Sequence, residues 1–381
     1  MEIKNLRENI NSIDDSLIKL LSERMEISKN IAQYKKDNAL PVYDSAREQE
    51  ILNRICDLSP GELEGYMRVT FNTLFQVSRS YQLKNILPKS ELSSTIDKAV
   101  SSTDSQFPER AAVACQGGEG AYSRIACEKM FILPSTSMHF DTFESVFKAV
   151  DAGLCRYGVL PLENSTSGSV NEIYDLMSKY RFYIVRSLKL SVDHALLAPA
   201  GVNLSDVKEI FSHPQAISQC SRFLSTLNGV KITECVNTAD ASKHIADSGR
   251  CDVAAISSKS CAKIYGLSVL SYGVQNTDNN KTRFICISKK PEIYPGADKT
   301  SLMLSLDHRP GALYSILSKF NALSVNITKI ESRPIEGRDF EFMFYFDLAA
   351  SVYSEKFIDL ICELENELEY FRYLGSYSEL V

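Results

Sequence analysis

The sequence predicts a multidomain chain with an all-α module first, an α/β module second and an α+β module last. Three observations carry this. Residues 1–36 hold apolar residues at steps of three and four with no Gly or Pro. From Ala111 onward, short apolar runs alternate with helical stretches. After a break at Lys289–Thr300, which contains Pro291, Pro295 and Gly296, the pattern runs β-α-β-β-α-β.

The helical module begins with Ile3, Leu6, Ile10, Ile13, Leu17, Leu20, Leu21, Ile27 and Ile31 along one long helix. Asn38 to Pro41 break it. A second helix is expected over 44–58, ended by Ser59-Pro60-Gly61, and a third from Glu62 to Asn85. The first helix has few neighbours in its own chain to cover it, which favours a homodimer or higher homo-oligomer in which partner helices complete the core. Residues 87–109 are polar, rich in Ser and Thr and bounded by Pro88 and Pro108, and are expected to be a linker.

The α/β module, residues 110–290, has strand candidates at 111–115, 157–160, 182–190, 194–198, 209–211, 253–256 and 284–287. In the last module, residues 298–381, the strands include 302–306 and the alternating Phe340, Phe342, Phe344 and Phe346. The order is that of a ferredoxin-like split unit.

Composition narrows the function class. In 381 residues, 44% are hydrophobic and 24% charged, as in ordinary globular proteins. The net charge of −6 argues against a nucleic-acid surface. No apolar run is long enough to span a membrane, and the first residues lack the basic and apolar regions of a signal peptide, so a cytoplasmic location is expected. The ten cysteines form no Cys-x-x-Cys pair and the histidines no helical ligand spacing. No metal and no cofactor is expected.

Within the first helix, Arg24 and Lys35 stand where apolar residues are expected and point the same way. Two bare cations in a helical core are costly unless anions meet them; Lys35 snorkelling and Arg24 paired with a Glu is the ordinary alternative. Arg7 lies roughly 100° round the helix from Arg24, so it does not readily serve that pocket in its own chain but could serve that of a partner chain. Asp44, Arg47 and Glu48 are neighbours on the second helix, and Ser78 and Gln82 on the third. They are either surface polar pairs or the rest of a pocket.

Taken together, Leu6-Arg7-x-x-Ile10, Leu20-x-x-x-Arg24, Lys35, Asp44-x-x-Arg47-Glu48 and Ser78-x-x-x-Gln82 resemble the all-helical chorismate mutases over residues 1–85. The resemblance implies a rearrangement of chorismate to prephenate. This unimolecular step needs a held conformer and charge stabilisation at the breaking ether oxygen. It assigns Arg24, Arg47 and the partner's Arg7 to the substrate carboxylates, with Lys35 and Gln82 as donors to the ether oxygen. Glu48 and Asp44 then fall on the ring hydroxyl side, and Ser78 lines the pocket.

In the α/β module, Cys115-Gln116-Gly117-Gly118-Glu119-Gly120 is a Gly-rich strand-to-helix turn, either an anion site or a plain tight turn. It lacks the dinucleotide spacing. Glu163-Asn164-Ser165-x-x-Gly168-Ser169, Ser212-His213-Pro214-Gln215 and Thr282-Arg283-Phe284 lie at strand ends, where α/β folds place ligands and where capping chemistry is also common. With Asn237-Thr238-Ala239-Asp240-Ala241 and Ala254-Ala255-Ile256-Ser257-Ser258, they resemble prephenate dehydratases over residues 110–288. That family has two α/β subdomains like a periplasmic binding protein, with the active site in the cleft. The resemblance assigns Thr282 to the departing hydroxyl of prephenate and Arg283 to a carboxylate. It gives Asn164, Ser212 and Gln219 to substrate binding and leaves His213 structural.

Arg309-Pro310-Gly311-Ala312-Leu313 and Glu331-Ser332-Arg333-Pro334 resemble the ACT regulatory domain of prephenate dehydratases. Gly311, Ala312, Leu313, Glu331, Ser332, Arg333 and Pro334 are thereby implied in binding L-phenylalanine as feedback inhibitor between paired subunits. Tyr314 stands where many relatives have Val. Two other functions fit parts of the pattern: a dehydratase alone with a helical dimerisation module, and a non-catalytic amino-acid sensor. The combined cations of the first module speak against the former, and Thr282-Arg283-Phe284 against the latter.

Overall fold

The computed structural model describes residues 3–86, 90–131, 133, 136–335 and 341–381. They form two compact units, one from residues 1–94, 303–346 and 353–372, the other from 95–302, 347–352 and 373–381.

The first unit opens with three helices: α1 (Ile3–Asp37), α2 (Ser45–Leu58) and α3 (Glu64–Ile86). Asp44 caps α2 by accepting from the Arg47 N–H at 3.0 Å. Helix α1 buries only Ser28 and Ala32, and its apolar residues stand open to solvent, Ile10 at 58% exposure and Leu17 at 49%. Segment 87–109 is not irregular throughout. Helix α4 (Glu91–Ser102) lies within it and buries Leu92, Ile96 and Ala99, an apolar step of four and three that the Ser- and Thr-rich composition conceals. Pro88 lies outside the described residues.

The second unit contains two sheets. In chain order its elements are β1 (Ala112–Gln116), α5 (Tyr122–Met130), β2 (Thr136–Phe140), α6 (Phe143–Asp151), β3 (Tyr157–Asn164), β4 (Gly168–Ser169), α7 (Asn171–Lys179), β5 (Tyr183–Ser191), β6 (His194–Ala198), β7 (Glu209–Ser212), α8 (Pro214–Gln219), α9 (Ser221–Leu224), β8 (Lys231–Glu234), α10 (Thr238–Asp247), β9 (Val253–Ser258), α11 (Ser260–Tyr265), β10 (Ser268–Tyr272) and β11 (Lys281–Ser288). A five-stranded sheet has the order β10-β6-β9-β7-β8. A seven-stranded sheet runs β16-β5-β11-β3-β1-β2, with β4 paired to β3 and β16 being Glu379–Leu380 at the end of the chain. The chain crosses from one sheet to the other after β5 and returns at β11, so the seven-stranded sheet is assembled from both ends of the module. Strands β3 and β11 pair antiparallel, setting Thr282 opposite Asn164 and Arg283 opposite Glu163.

The last strands are β12 (Lys299–Ser305), β13 (Asn326–Pro334), β14 (Phe342–Ala349) and β15 (Phe371–Tyr377), with helices α12 (Ala312–Ala322) and α13 (Glu355–Glu367). The sheet order β13-β14-β12-β15 is that of the split β-α-β-β-α-β unit. Phe346 is fully buried and meets Phe320 at 5.5 Å between ring centroids. Phe340 lies outside the described residues.

Candidate active sites

In the first unit, helices α1 and α3 bring Arg24 and Ser78 together, the guanidinium donating to the hydroxyl. Burial lowers the Arg24 pKa and the charge of Glu48 opposes this, so a carboxylate faces the guanidinium. One turn beyond Ser78, Gln82 is buried, and its Oε1 meets no hydrogen-bond donor among the described residues. Lys35 Nζ donates to the Val42 carbonyl at 2.5 Å. Arg79, which sequence reasoning missed, donates to Glu48 and lies over the Tyr43 ring at 5.1 Å. Nothing in the local spacing links residues 48 and 79. Arg47 reaches out to Glu50 at 2.6 Å and is exposed. Arg7 is exposed and lies about 25 Å along α1 from Arg24, at 1.5 Å per residue. The structure does not bring Arg7 or Arg47 to the Arg24 pocket of the same chain.

In the second unit, a cleft of about 350 Å³ is lined by Tyr122, Asn164, His194, His213, Gln219, Asn237, Thr238, Thr282 and Phe284, among others. Thr282 is 9% exposed. Asn164 Nδ2 donates to its hydroxyl oxygen at 2.8 Å and to Asn280 Oδ1 at 2.8 Å. Asn280 Nδ2 donates to Gln219 Oε1 at 3.0 Å, and His194 Nε2 reaches the same oxygen at 3.1 Å. Burial lowers the His194 pKa and favours the neutral ring. Tyr122, whose pKa burial raises well above its ordinary value, keeps its proton and donates to the Asp193 carbonyl at 2.7 Å. His213 caps α8 by accepting from the Gln215 N–H at 3.2 Å.

Two sequence assignments are corrected. Arg283 follows Thr282 on β11, and successive strand residues face opposite sides, so it turns away from the cleft. It is 5% exposed and donates to Asp347 and, at 2.7 Å, to Tyr377. It also pairs with Glu163 at 3.2 Å and Glu379 at 3.1 Å. Burial works to lower its pKa, but Tyr377, Asp347 and Glu163 raise it more, and each of its three nitrogens faces a protein partner rather than the cleft. Ser212 is fully buried at the end of β7 and donates to the Ile256 carbonyl at 2.7 Å, outside the cleft lining. The cleft is also lined by the first residues of α5 and α10, Tyr122, Ser123 and Thr238, at helix starts where backbone N–H groups have no intrahelical acceptor. Gly117 and Gly120 before α5 have φ of 87° and 84°. A Cβ on Gly120 would stand 2.6 Å from Cys261 Sγ, so glycine is required there.

In the C-terminal sheet, a cavity of about 380 Å³ is lined by Leu306 to Pro310, Ala312, Leu313, Phe342 and Phe344. Gly311, with φ of 84°, starts α12 beside it. Glu331, Ser332, Arg333 and Pro334 lie on the edge strand β13 and do not line this cavity. Among the described residues, no helix is long and apolar enough to cross a membrane.

Comparison with known proteins finds a family match over each of these two regions. Residues 6–83 match the chorismate mutase type II family and residues 113–292 the prephenate dehydratase family. The chain is 35% identical over 369 residues to arogenate dehydratase/prephenate dehydratase 2, chloroplastic, of Arabidopsis thaliana, covering 92% of this chain and 94% of that one. It is 30% identical over 387 residues to the bifunctional chorismate mutase/prephenate dehydratase of Escherichia coli strain K12, covering 98% and 95%. The crystal structure of prephenate dehydratase from Arthrobacter aurescens in complex with L-Phe superposes with a TM-score of 0.64 at 27% identity, over 70% of this chain and 90% of that one. With relatives matched over almost their whole length and a match to each half of the reaction pair, the chain belongs to the bifunctional chorismate mutase/prephenate dehydratases.

Proposed function

We propose that the two activities of this family are run here at two separate sites, the Arg24 pocket for chorismate and the Thr282 cleft for prephenate. In the first, Arg24, with Arg7 and Arg47 drawn from or toward a second copy, holds the two carboxylates in bidentate fashion. Lys35 and Gln82 donate to the ether oxygen as its bond breaks, and no covalent intermediate is needed. Glu48 and Asp44 sit on the ring hydroxyl side, with Ser78 in the pocket wall. The open apolar face of α1 supports a homodimer, since a second copy is what would cover it.

In the second, prephenate loses its ring carboxylate as carbon dioxide. The bonding electrons move into the ring, the bond to the ring hydroxyl breaks, and that oxygen takes up one proton to leave as water. Thr282 donates to the departing oxygen. The N–H groups at the starts of α5 and α10 receive a carboxylate. The observation that carries this assignment is the Thr282 hydroxyl, which accepts from Asn164 inside a cleft lined by no charged side chain among those described. The absence of a lining carboxylate favours prephenate over a substrate bearing an ammonium, as arogenate does.

The C-terminal βαββαβ unit is proposed as an ACT domain. The cavity beside Gly311, Ala312 and Leu313 takes L-phenylalanine, and the edge strand carrying Glu331 to Pro334 pairs with a second copy to close it. Following chorismate through prephenate to phenylpyruvate, with and without L-phenylalanine, tests the whole assignment. The expected result is both turnovers, faster dehydration of prephenate than of arogenate, and loss of dehydratase rate with added L-phenylalanine. Undiminished dehydratase rate at saturating L-phenylalanine, with no heat of binding, removes the regulatory part.

A further inference from the structure

We propose that Asn280 is a positioning residue of the dehydratase step, one that acts through Asn164 to turn the Thr282 proton into the cleft. This deepens, and rests on, the assignment of Thr282 as the donor at the departing hydroxyl.

The direction of every hydrogen bond in the cluster follows from two backbone donors. The N–H groups of Thr166 and Ser167 both point at Asn164 Oδ1, each at 3.0 Å. A backbone N–H only donates, so this atom is the amide oxygen and the other is the NH2. Its two hydrogens go to Asn280 Oδ1 and to Thr282 Oγ1. Asn280 therefore presents its own NH2 to Gln219 Oε1. The same orientation of Gln219 follows from Thr166, whose hydroxyl donates to Asn164 Oδ1 at 2.6 Å and accepts from Gln219 Nε2 at 3.0 Å. His194 then reaches Gln219 as the Nε2–H tautomer.

Thr282 is thus an acceptor from Asn164, and its own proton has no acceptor recorded among the described residues. The hydroxyl lines the cleft, so that proton is directed at the ligand. Asn280, 3% exposed, takes the second Asn164 hydrogen and keeps the amide plane from turning it toward Thr282 or away from it. Gln219 is fully used by protein partners, two on its oxygen and two on its nitrogen, which makes it a support of this network rather than a hand on the substrate.

The test uses the full chain and three variants, assayed for dehydratase kcat and KM on prephenate across pH 5 to 9, with mutase turnover of the same preparation as the measure of intact folding. Asn280→Leu keeps the approximate size and removes both bonds. Asn280→Asp keeps the acceptor toward Asn164 and regains the donor toward Gln219 only when its carboxyl is protonated. Expected is a drop in kcat of ~30-fold or more for Asn280→Leu, with KM changed by less than about threefold. For Asn280→Asp, the rate relative to wild type should rise as pH falls. Unchanged kcat in Asn280→Leu overturns the proposal. So does a loss in Asn280→Asp equal to that of Asn280→Leu at every pH, because packing alone would then account for both. Thr282→Val, run in parallel, separates the two levels: an active Thr282→Val removes the assignment of Thr282 itself, whereas an inactive one with either overturning result removes only the role of Asn280.

Discussion

Thr282 and Arg283 are consecutive on β11 and serve opposite faces of one sheet, the hydroxyl turned to Asn164 and the cleft, the guanidinium turned to Asp347 and Tyr377. The pair therefore separates the chemistry proposed for Thr282 from support, and substitutions at the two positions are expected to fail in different ways.

Thr282→Val keeps the shape and removes the donor. Dehydratase kcat should fall by ~10²-fold or more while mutase turnover and the melting temperature stay near wild type. Phenylpyruvate formation from prephenate, read by its absorbance in base, checks this.

Arg283→Met should instead act on stability. It leaves Asp347 and Glu163 without their buried cation, and breaking one partner of a buried ion pair costs about 3–5 kcal/mol. Urea unfolding should show the loss. Arg283→Lys should recover little of it, because an ammonium cannot reach carboxylates and Tyr377 as the guanidinium fork does.

Acid should weaken the α/β unit through His194. Burial holds its folded pKa below the ordinary value of 6.5, so the unfolded chain binds more protons there than the folded one. Above 6.5 the two states match. Stability then falls as pH drops from 6.5 to the lowered folded value. His213, also lowered by burial, adds in the same sense. The urea midpoint should decline between pH 7.5 and 5.5, and His194→Gln should show a shallower decline.

The proposal that Arg7 serves the mutase site of a second copy predicts complementation. Arg7→Ala and Arg24→Ala should each lose mutase activity, yet mixed and allowed to exchange subunits they should recover about a quarter of it. Half the dimers are then mixed, and each of those holds one site with both arginines. No recovery after verified exchange places the two arginines in one chain's site.

The helical module was legible because its cations interrupt an apolar period, and that conflict is visible in one dimension. The partnership of Arg79 with Glu48 was not, since it joins helices through a turn whose geometry no local spacing records. Thr282-Arg283-Phe284 could be recognised as a string of residues. Its alternation across the sheet, which sends Arg283 away from the substrate, becomes plain only once β11 is known to be a strand at that point. Asn280 stood in the polar run that leads into β11 but carried no role, and His194 gave no signal, because a neutral amide or imidazole at a strand end has no meaning until its partners are in place. Helix α4 did give one, in Leu92, Ile96 and Ala99, and the serines around them masked it.

Strand β16 pairs with β5, and Glu379 upon it reaches Arg283. Gly375, just before, lies so close to the β5 backbone that a Cβ there would stand 2.2 Å from the Ile184 carbonyl oxygen. The last residues of the chain are thus part of the fabric that supports the cleft. Cutting the polypeptide at the Pro291–Thr300 break would remove these contacts. It would strip an edge strand and two carboxylates, Asp347 and Glu379, from a sheet whose partner strand β5 begins nearly two hundred residues earlier.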